Sequence, residues 1–236
     1  MAKFLALDTS DDNIGLALSD ESNILAELKW PTSQNHSVEL LPAIHYLLTM
    51  AGFGIRGIDA VFVARGPGNY TGLRVGVSVA KGLSYSLGRP LVSASTLELL
   101  AYPHSFYGLP VFSLMDAGHA EWAGAIFLRE GDRLLPLMDE TLLDLEEVIE
   151  RTQDRSIICG AFNSEDGFRL HSALGDKATI VSCAATQRKV AFLVDLCLPK
   201  LRQGNVENIA TFEPVYLRKP PITKPKRYTY PCGEED

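Results

Sequence analysis

Phe4-Leu5-Ala6-Leu7-Asp8 is an apolar run that stops at a carboxylate, and the same shape returns 108 residues later as Phe112-Ser113-Leu114-Met115-Asp116. After Asp8 a polar turn, Thr9–Asn13, leads into a second apolar run at Ile14–Leu18, which reads as a β-hairpin. After Asp116 a turn at Ala117–Ala120 leads into Trp122–Leu128 in the same way. Working outward from the first hairpin, residues 24–30 offer a third strand. Val38, Leu41, Ile44, Leu48 and Ala51 then recur at helical spacing behind an N-cap at Ser37, with Pro42 expected to loosen the first turns. A buried strand at Ala60–Ala64, a helix from about Leu73 to Leu87, a strand from Leu91 and a helix at Thr96–Ala101 complete the first half. The second half repeats the order: a helical stretch near Leu142–Arg151, a strand at Ser156–Cys159, a helix near Ser164–Leu174, a strand at Thr179–Val181 and a long helix near Thr186–Leu201. This is an α/β order met twice, and it divides the chain into lobes 1–108 and 109–217 and a tail 218–236. The alternative is a chance likeness of two short hairpins.

The 236 residues are 46% apolar and carry 22 basic against 29 acidic side chains, enough to bury a core without metal or disulfide staples. A net charge of −7 argues against a protein that grips nucleic acid alone. The tail runs the other way, with Arg218, Lys219, Lys224, Lys226 and Arg227 set among prolines. Such a stretch holds neither a helix nor a central strand; it is a solvated extension, or a contact strip for RNA or an acidic partner. The apolar run before Asp8 is too short for a signal peptide, and no run approaches the ~20 apolar residues of a membrane span. The four cysteines make no C-x-x-C pair, so reduced thiols in the cytoplasm are the expectation.

Between the buried strand and the helix lies Gly66-Pro67-Gly68-Asn69-Tyr70-Thr71-Gly72-Leu73-Arg74-Val75-Gly76. A glycine-rich loop at a helix N-terminus can bind an anion, but this one lacks the lysine of a Walker loop and misses the G-x-G-x-x-G spacing by one residue. Thr71 is better read as an N-cap. Beyond it Gly72, Gly76, Ala80, Ser84 and Gly88 fall at four-residue intervals, a stripe of small side chains on one helix face. The stripe packs closely either on the protein's own sheet or on another subunit.

Paired strand-Asp-turn hairpins resemble those with which the sugar-kinase, heat-shock and actin superfamily (actin-like ATPases, two ribonuclease-H-like lobes) holds ATP phosphates and hydrated magnesium. On that likeness Asp8 and Asp116 are candidate cation ligands and Gly160 a candidate adenosine contact. Cys159, however, replaces the first glycine of the strand-Gly-Gly segment.

The loop Arg65–Gly76 resembles the GPGSFTGLRIG motif of the bacterial TsaB (YeaZ) family, with Asn69 for Ser and Tyr70 for Phe. Leu5–Ser10, His36-Ser37 with Leu40-Leu41-Pro42, Ala80–Leu83, Ser95–Glu98 and Glu213–Arg218 match it as well, so the resemblance spans most of the chain. In the second lobe Gly118 and Ala123 depart from the family pattern.

The resemblance implies a non-catalytic partner of TsaD, the transferase that makes N6-threonylcarbamoyladenosine at position 37 of tRNAs reading ANN codons. It implies the ATPase TsaE as a third component, a homodimer when the chain is alone, and tRNA contact only through the complex. It places the partner interface on Pro67, Asn69, Tyr70, Thr71, Gly72, Arg74, Val75, Gly76 and Ala80. It also implies no cofactor bound by the isolated protein. The metal-binding histidines of TsaD, on the helix after the fifth strand, have no counterpart in Ser95–Leu100. The rival reading within the superfamily is an ATP-dependent small-molecule kinase, with Asp8 and Asp116 on magnesium. Scattered histidines, and serines without a G-x-S-x-G elbow, give no support to a hydrolase.

Overall fold

The computed structural model describes residues 1–33, 35–160, 162–182 and 184–218. Three strands open the chain, β1 (Phe4–Asp8), β2 (Asn13–Ser19) and β3 (Ile24–Pro31). They are followed by α1 (His36–Met50), β4 (Ala60–Ala64), α2 (Tyr70–Leu87), β5 (Leu91–Ala94) and α3 (Thr96–Ala101). The series recurs as β6 (Val111–Asp116), β7 (Trp122–Glu130), β8 (Arg133–Leu143), α4 (Leu145–Arg151), β9 (Ser156–Gly160), α5 (Ser164–Leu174), β10 (Ala178–Ile180) and α6 (Phe192–Arg202). The sheets run β3-β2-β1-β4-β5 and β8-β7-β6-β9-β10, so every strand of the first has a counterpart five strands later in the second. In each, the hairpin pairs antiparallel and the next two strands join in parallel. The architecture is α/β, with two five-stranded sheets of the same ribonuclease-H-like strand order.

The sheets are sandwiched because their central strands are apolar on both faces. One face of the first sheet meets α1 and α2 through Leu5, Leu7, Leu16, Leu40, Ile44, Leu47, Val63, Val77 and Ala80. Its other face, built from Phe4, Ala6, Phe62 and Val92, meets Val190, Leu193, Val194 and Cys197. The last helix, α6, therefore covers the first sheet, although the repeat assigns it to the second lobe. α3 makes the reverse crossing: Leu97, Leu100 and Ala101 pack with Val111, Ala125, Phe127 and Cys159 of the second sheet. The lobes exchange their final helices, which a linear repeat cannot reveal.

Local signals account for most helix ends. Ser95 and Glu98 form a capping box on α3, and Asp144 and Glu147 form one on α4. α1 starts at His36 after Asn35, not behind Ser37, and runs unbroken through Pro42. Pro42 lies on the exposed side, where water can serve the carbonyl left without a donor. β8 was not legible, because Pro136 and its half-exposed side chains blur the alternation. Leu142–Arg151, expected as one helix, is divided between the end of β8 and α4.

Candidate functional site

The turns of both hairpins, the glycine loop and the C-terminal residues Tyr216–Arg218 meet around an interlobe cleft of about 460 Å³. A second cavity of about 300 Å³ lies on the other side of Asp11 and Asp116 and reaches Arg188.

Asp8 ends β1 and is 3% exposed. Its Oδ1 accepts from the Ser10 amide at 3.0 Å and the Ser10 hydroxyl at 2.5 Å. Its Oδ2 accepts from Nε of Arg188 at 3.0 Å. The same guanidinium reaches Asp11 at 2.7 Å and the Ser10 hydroxyl at 3.1 Å. Burial alone would raise the pKa of Asp8, but the Arg188 charge and the Ser10 hydrogen bonds outweigh it and hold the carboxyl below its usual range. Arg188 comes from the segment joining β10 to α6. Sequence reasoning missed it because a lone arginine in a polar stretch carries no periodic signal.

Asp116 is exposed and accepts from the Gly118 amide at 2.7 Å. The turn beyond it places Gly118, His119 and Ala120 at positive φ. Gly118 brings no side chain to this turn. Arg218 does, donating to the carbonyls of Ala117 and Gly118 and pairing with Glu121.

At Asp8 the counter-charge is already present as Arg188. A Cβ on Gly160 would stand 2.6 Å from the Leu114 carbonyl and 2.9 Å from the Phe162 ring, and that ring packs on Trp122 at 5.0 Å. The space beside Gly160 is thus filled from within. Cys159, expected to crowd a nucleotide, instead points into the core, where its Sγ lies 3.7 Å from the Leu100 carbonyl. Among the described residues no group of three or more His, Cys, Asp or Glu could hold a metal ion. In the helix after β5, Leu97, Leu99 and Leu100 are core residues, and burial pushes the pKa of nearby His104 down.

The glycine loop packs inward. Asn69, not Thr71, caps α2, its side chain accepting from the amides of Thr71 and Gly72 at 3.0 and 3.2 Å. The helix begins at Tyr70, and its first free amides are served by the chain itself rather than by an anion. A Cβ on Gly68 would stand 2.2 Å from the Ser10 carbonyl, one on Gly72 2.2 Å from the Thr9 carbonyl, and one on Gly76 2.0 Å from the Thr9 hydroxyl. The small stripe therefore serves close approach to the first hairpin. Of the residues expected at a partner interface, Pro67, Gly72, Gly76 and Ala80 are buried in the isolated chain, Gly72 and Gly76 by the contact with Thr9. Asn69, Tyr70, Thr71 and Arg74 are exposed and Val75 is half-buried. Tyr70 packs on Tyr216 with ring centroids 4.9 Å apart and the planes tilted by 42°, and Arg74 donates to the Tyr70 hydroxyl at 2.9 Å.

The outward sides of α1 and α2 lie open. Val38 (71% exposed), Leu41, Tyr46 and Met50 project from α1, and Tyr85 (80%) from α2. Among the described residues no helix is long and apolar enough to cross a membrane. Of the basic tail expected as an extension or contact strip, only Arg218 is described, and residues 219–236 lie outside the described residues.

A family model described as TsaD, tRNA N6-adenosine threonylcarbamoyltransferase, matches residues 30–227. The tRNA threonylcarbamoyladenosine biosynthesis protein TsaB of Bacillus subtilis is 31% identical over 183 residues, 76% of this chain and 80% of that protein. Among solved structures, YeaZ from Pseudomonas aeruginosa aligns with TM-score 0.73 at 22% identity, covering 92% of this chain and 100% of that one. The ROK hexokinase of Thermus thermophilus aligns with TM-score 0.51 at 12% identity, covering 86% of this chain and 100% of the other, a likeness of fold alone.

Proposed function

The chain belongs to the threonylcarbamoyltransferase (TsaD) family of the matching model and to its TsaB (YeaZ) group, and from that premise we propose that it is a non-catalytic partner of a TsaD-type transferase. In this reading it serves the formation of N6-threonylcarbamoyladenosine in tRNA, in the cytoplasm, and touches tRNA only through the complex. The observation that carries the docking surface is the exposure of four large apolar side chains on one helix, Val38, Leu41, Tyr46 and Met50, outside the face that packs on the sheet. α2 extends the face with Arg74, Ser78 and Tyr85, all exposed. A face matched to a partner of similar fold is close to self-complementary, which accounts for a homodimer when the chain is alone. A TsaE-type ATPase completes the assembly.

The absence of chemistry of its own is supported by the internal pairing of Asp8 with Arg188 and by the filled space beside Gly160, which together oppose the small-molecule kinase reading. Reconstitution tests the proposal. Transferase, ATPase, threonylcarbamoyl adenylate, ATP and unmodified tRNA should yield modified adenosine only when this chain is added. Equal yield without it, or modification by this chain alone, would contradict the role.

A further inference from the structure

The first hairpin carries three carboxylates within five residues: Asp11 and Asp12 at the wall of the interlobe cleft, and Asp8 buried behind them. Oxygen donors gathered at one turn are the donor set a hard divalent cation takes. Here their counter-charge is covalently part of the chain: Arg188 stands 3.0 Å from Asp8 and 2.7 Å from Asp11, with its own side chain only 10% exposed. A charge this deeply buried persists only when paired. We propose that Arg188 is the resident cation of this turn, holding the place at Asp8 and Asp11 that a hydrated divalent metal would otherwise take.

The assignment has a mechanical side. Arg188 lies in the crossover that returns the chain from the second sheet to the first. Two residues on, Val190 fills the notch at Gly15, where a Cβ would overlap its Cγ2 at 2.1 Å. Lys29 donates to the Arg188 carbonyl at 3.2 Å, and the Ala191 amide donates to Glu27 at 3.1 Å. Binding of a cation at Asp8 and docking of the crossover therefore compete for the same carboxylates. The cation place at Asp8 and Asp11 is filled by the chain's own guanidinium.

Manganese titration of the full chain, read by calorimetry or by the paramagnetic signal of bound ion, tests this. The wild-type protein should show no saturable Mn²⁺ site up to about 1 mM, whereas Arg188→Met, neutral and of similar length, should gain one about tenfold tighter or better. Adding Asp8→Asn to that variant should remove it. A saturable wild-type site lost on Asp8→Asn, or a folded Arg188→Met that gains no site, overturns the assignment. Should Arg188→Met fail to fold, Mn²⁺ but not NaCl of equal ionic strength should restore the fold, and failure of both to do so overturns it equally.

Discussion

The hydroxyl of Thr9 donates to the carbonyl of Gly72 at 2.8 Å and lies where a methyl group on Gly76 would intrude, 2.0 Å away. Helix α2 is thereby seated on the first hairpin with no room for a side chain at either glycine. This decides between the two readings of the small stripe.

Gly76→Ala should destabilise the isolated protein by about 1–3 kcal/mol, although alanine is intrinsically the better helix former by about 1 kcal/mol, because overpacking against Thr9 outweighs the propensity gain. Gly72→Ala should cost more, since its obstacle is the Thr9 backbone carbonyl and not a rotatable hydroxyl. Urea midpoints of the two variants check the order.

The outward face should behave oppositely. Val38→Asp and Tyr85→Glu alter exposed side chains and should leave the unfolding free energy from urea titration within about 0.5 kcal/mol of wild type. If that face closes a homodimer, each should shift sedimentation toward the monomer. A dimer of unchanged strength would place the contact elsewhere.

Asp8 gives the pH dependence a sign. Its folded pKa is lowered, burial being outweighed by Arg188 and Ser10, so its contribution is complete above the unfolded value of about 4 and is lost as pH falls through the folded value. Stability should decline below about pH 4. Asp8→Asn should flatten that decline and lower stability at neutral pH by about 3 kcal/mol, because Arg188 loses one of two carboxylate partners. Denaturant titrations across pH 2–7 read both effects (the window spans the carboxylate range, roughly pH 2–5, and neutrality).

The C-terminal segment should depend on Gly66. The Val215 amide donates to the Arg65 carbonyl at 2.8 Å, the Glu207 amide to the Leu91 carbonyl at 2.8 Å, and Lys81 to the Phe212 carbonyl at 2.7 Å. Gly66 has φ +112°, and a Cβ there would stand 2.4 Å from the Val215 carbonyl. Gly66→Ala should cost about 2 kcal/mol or more and speed amide exchange at Val215. Unchanged exchange there would mean that the segment is held without this contact.

What the sequence conveyed was the local pattern. Ala60–Ala64 and Thr96–Ala101 stand at the bounds expected of them, and the two strand-Asp hairpins mark the first strand of each sheet. The exchange of α3 and α6 between lobes, the Arg188 ion pairs and the seating of Gly72 and Gly76 were hidden for one reason. Each joins residues far apart in the chain, and Asp8 and Arg188 are separated by 180 positions. A glycine stripe carries the same letters whether it meets its own hairpin or a second protein. Only the position of Thr9 separates the two.

The outward face of α1 and α2 is the proposed dock for a TsaD-type transferase. Calorimetric titration of the transferase from the same organism with wild-type chain and with Leu41→Asp tests it most directly. The account predicts saturable one-to-one binding for the wild type and a loss of about tenfold or more for Leu41→Asp with its fold intact. Equal affinity of the two, or no binding by the wild-type chain, would contradict it.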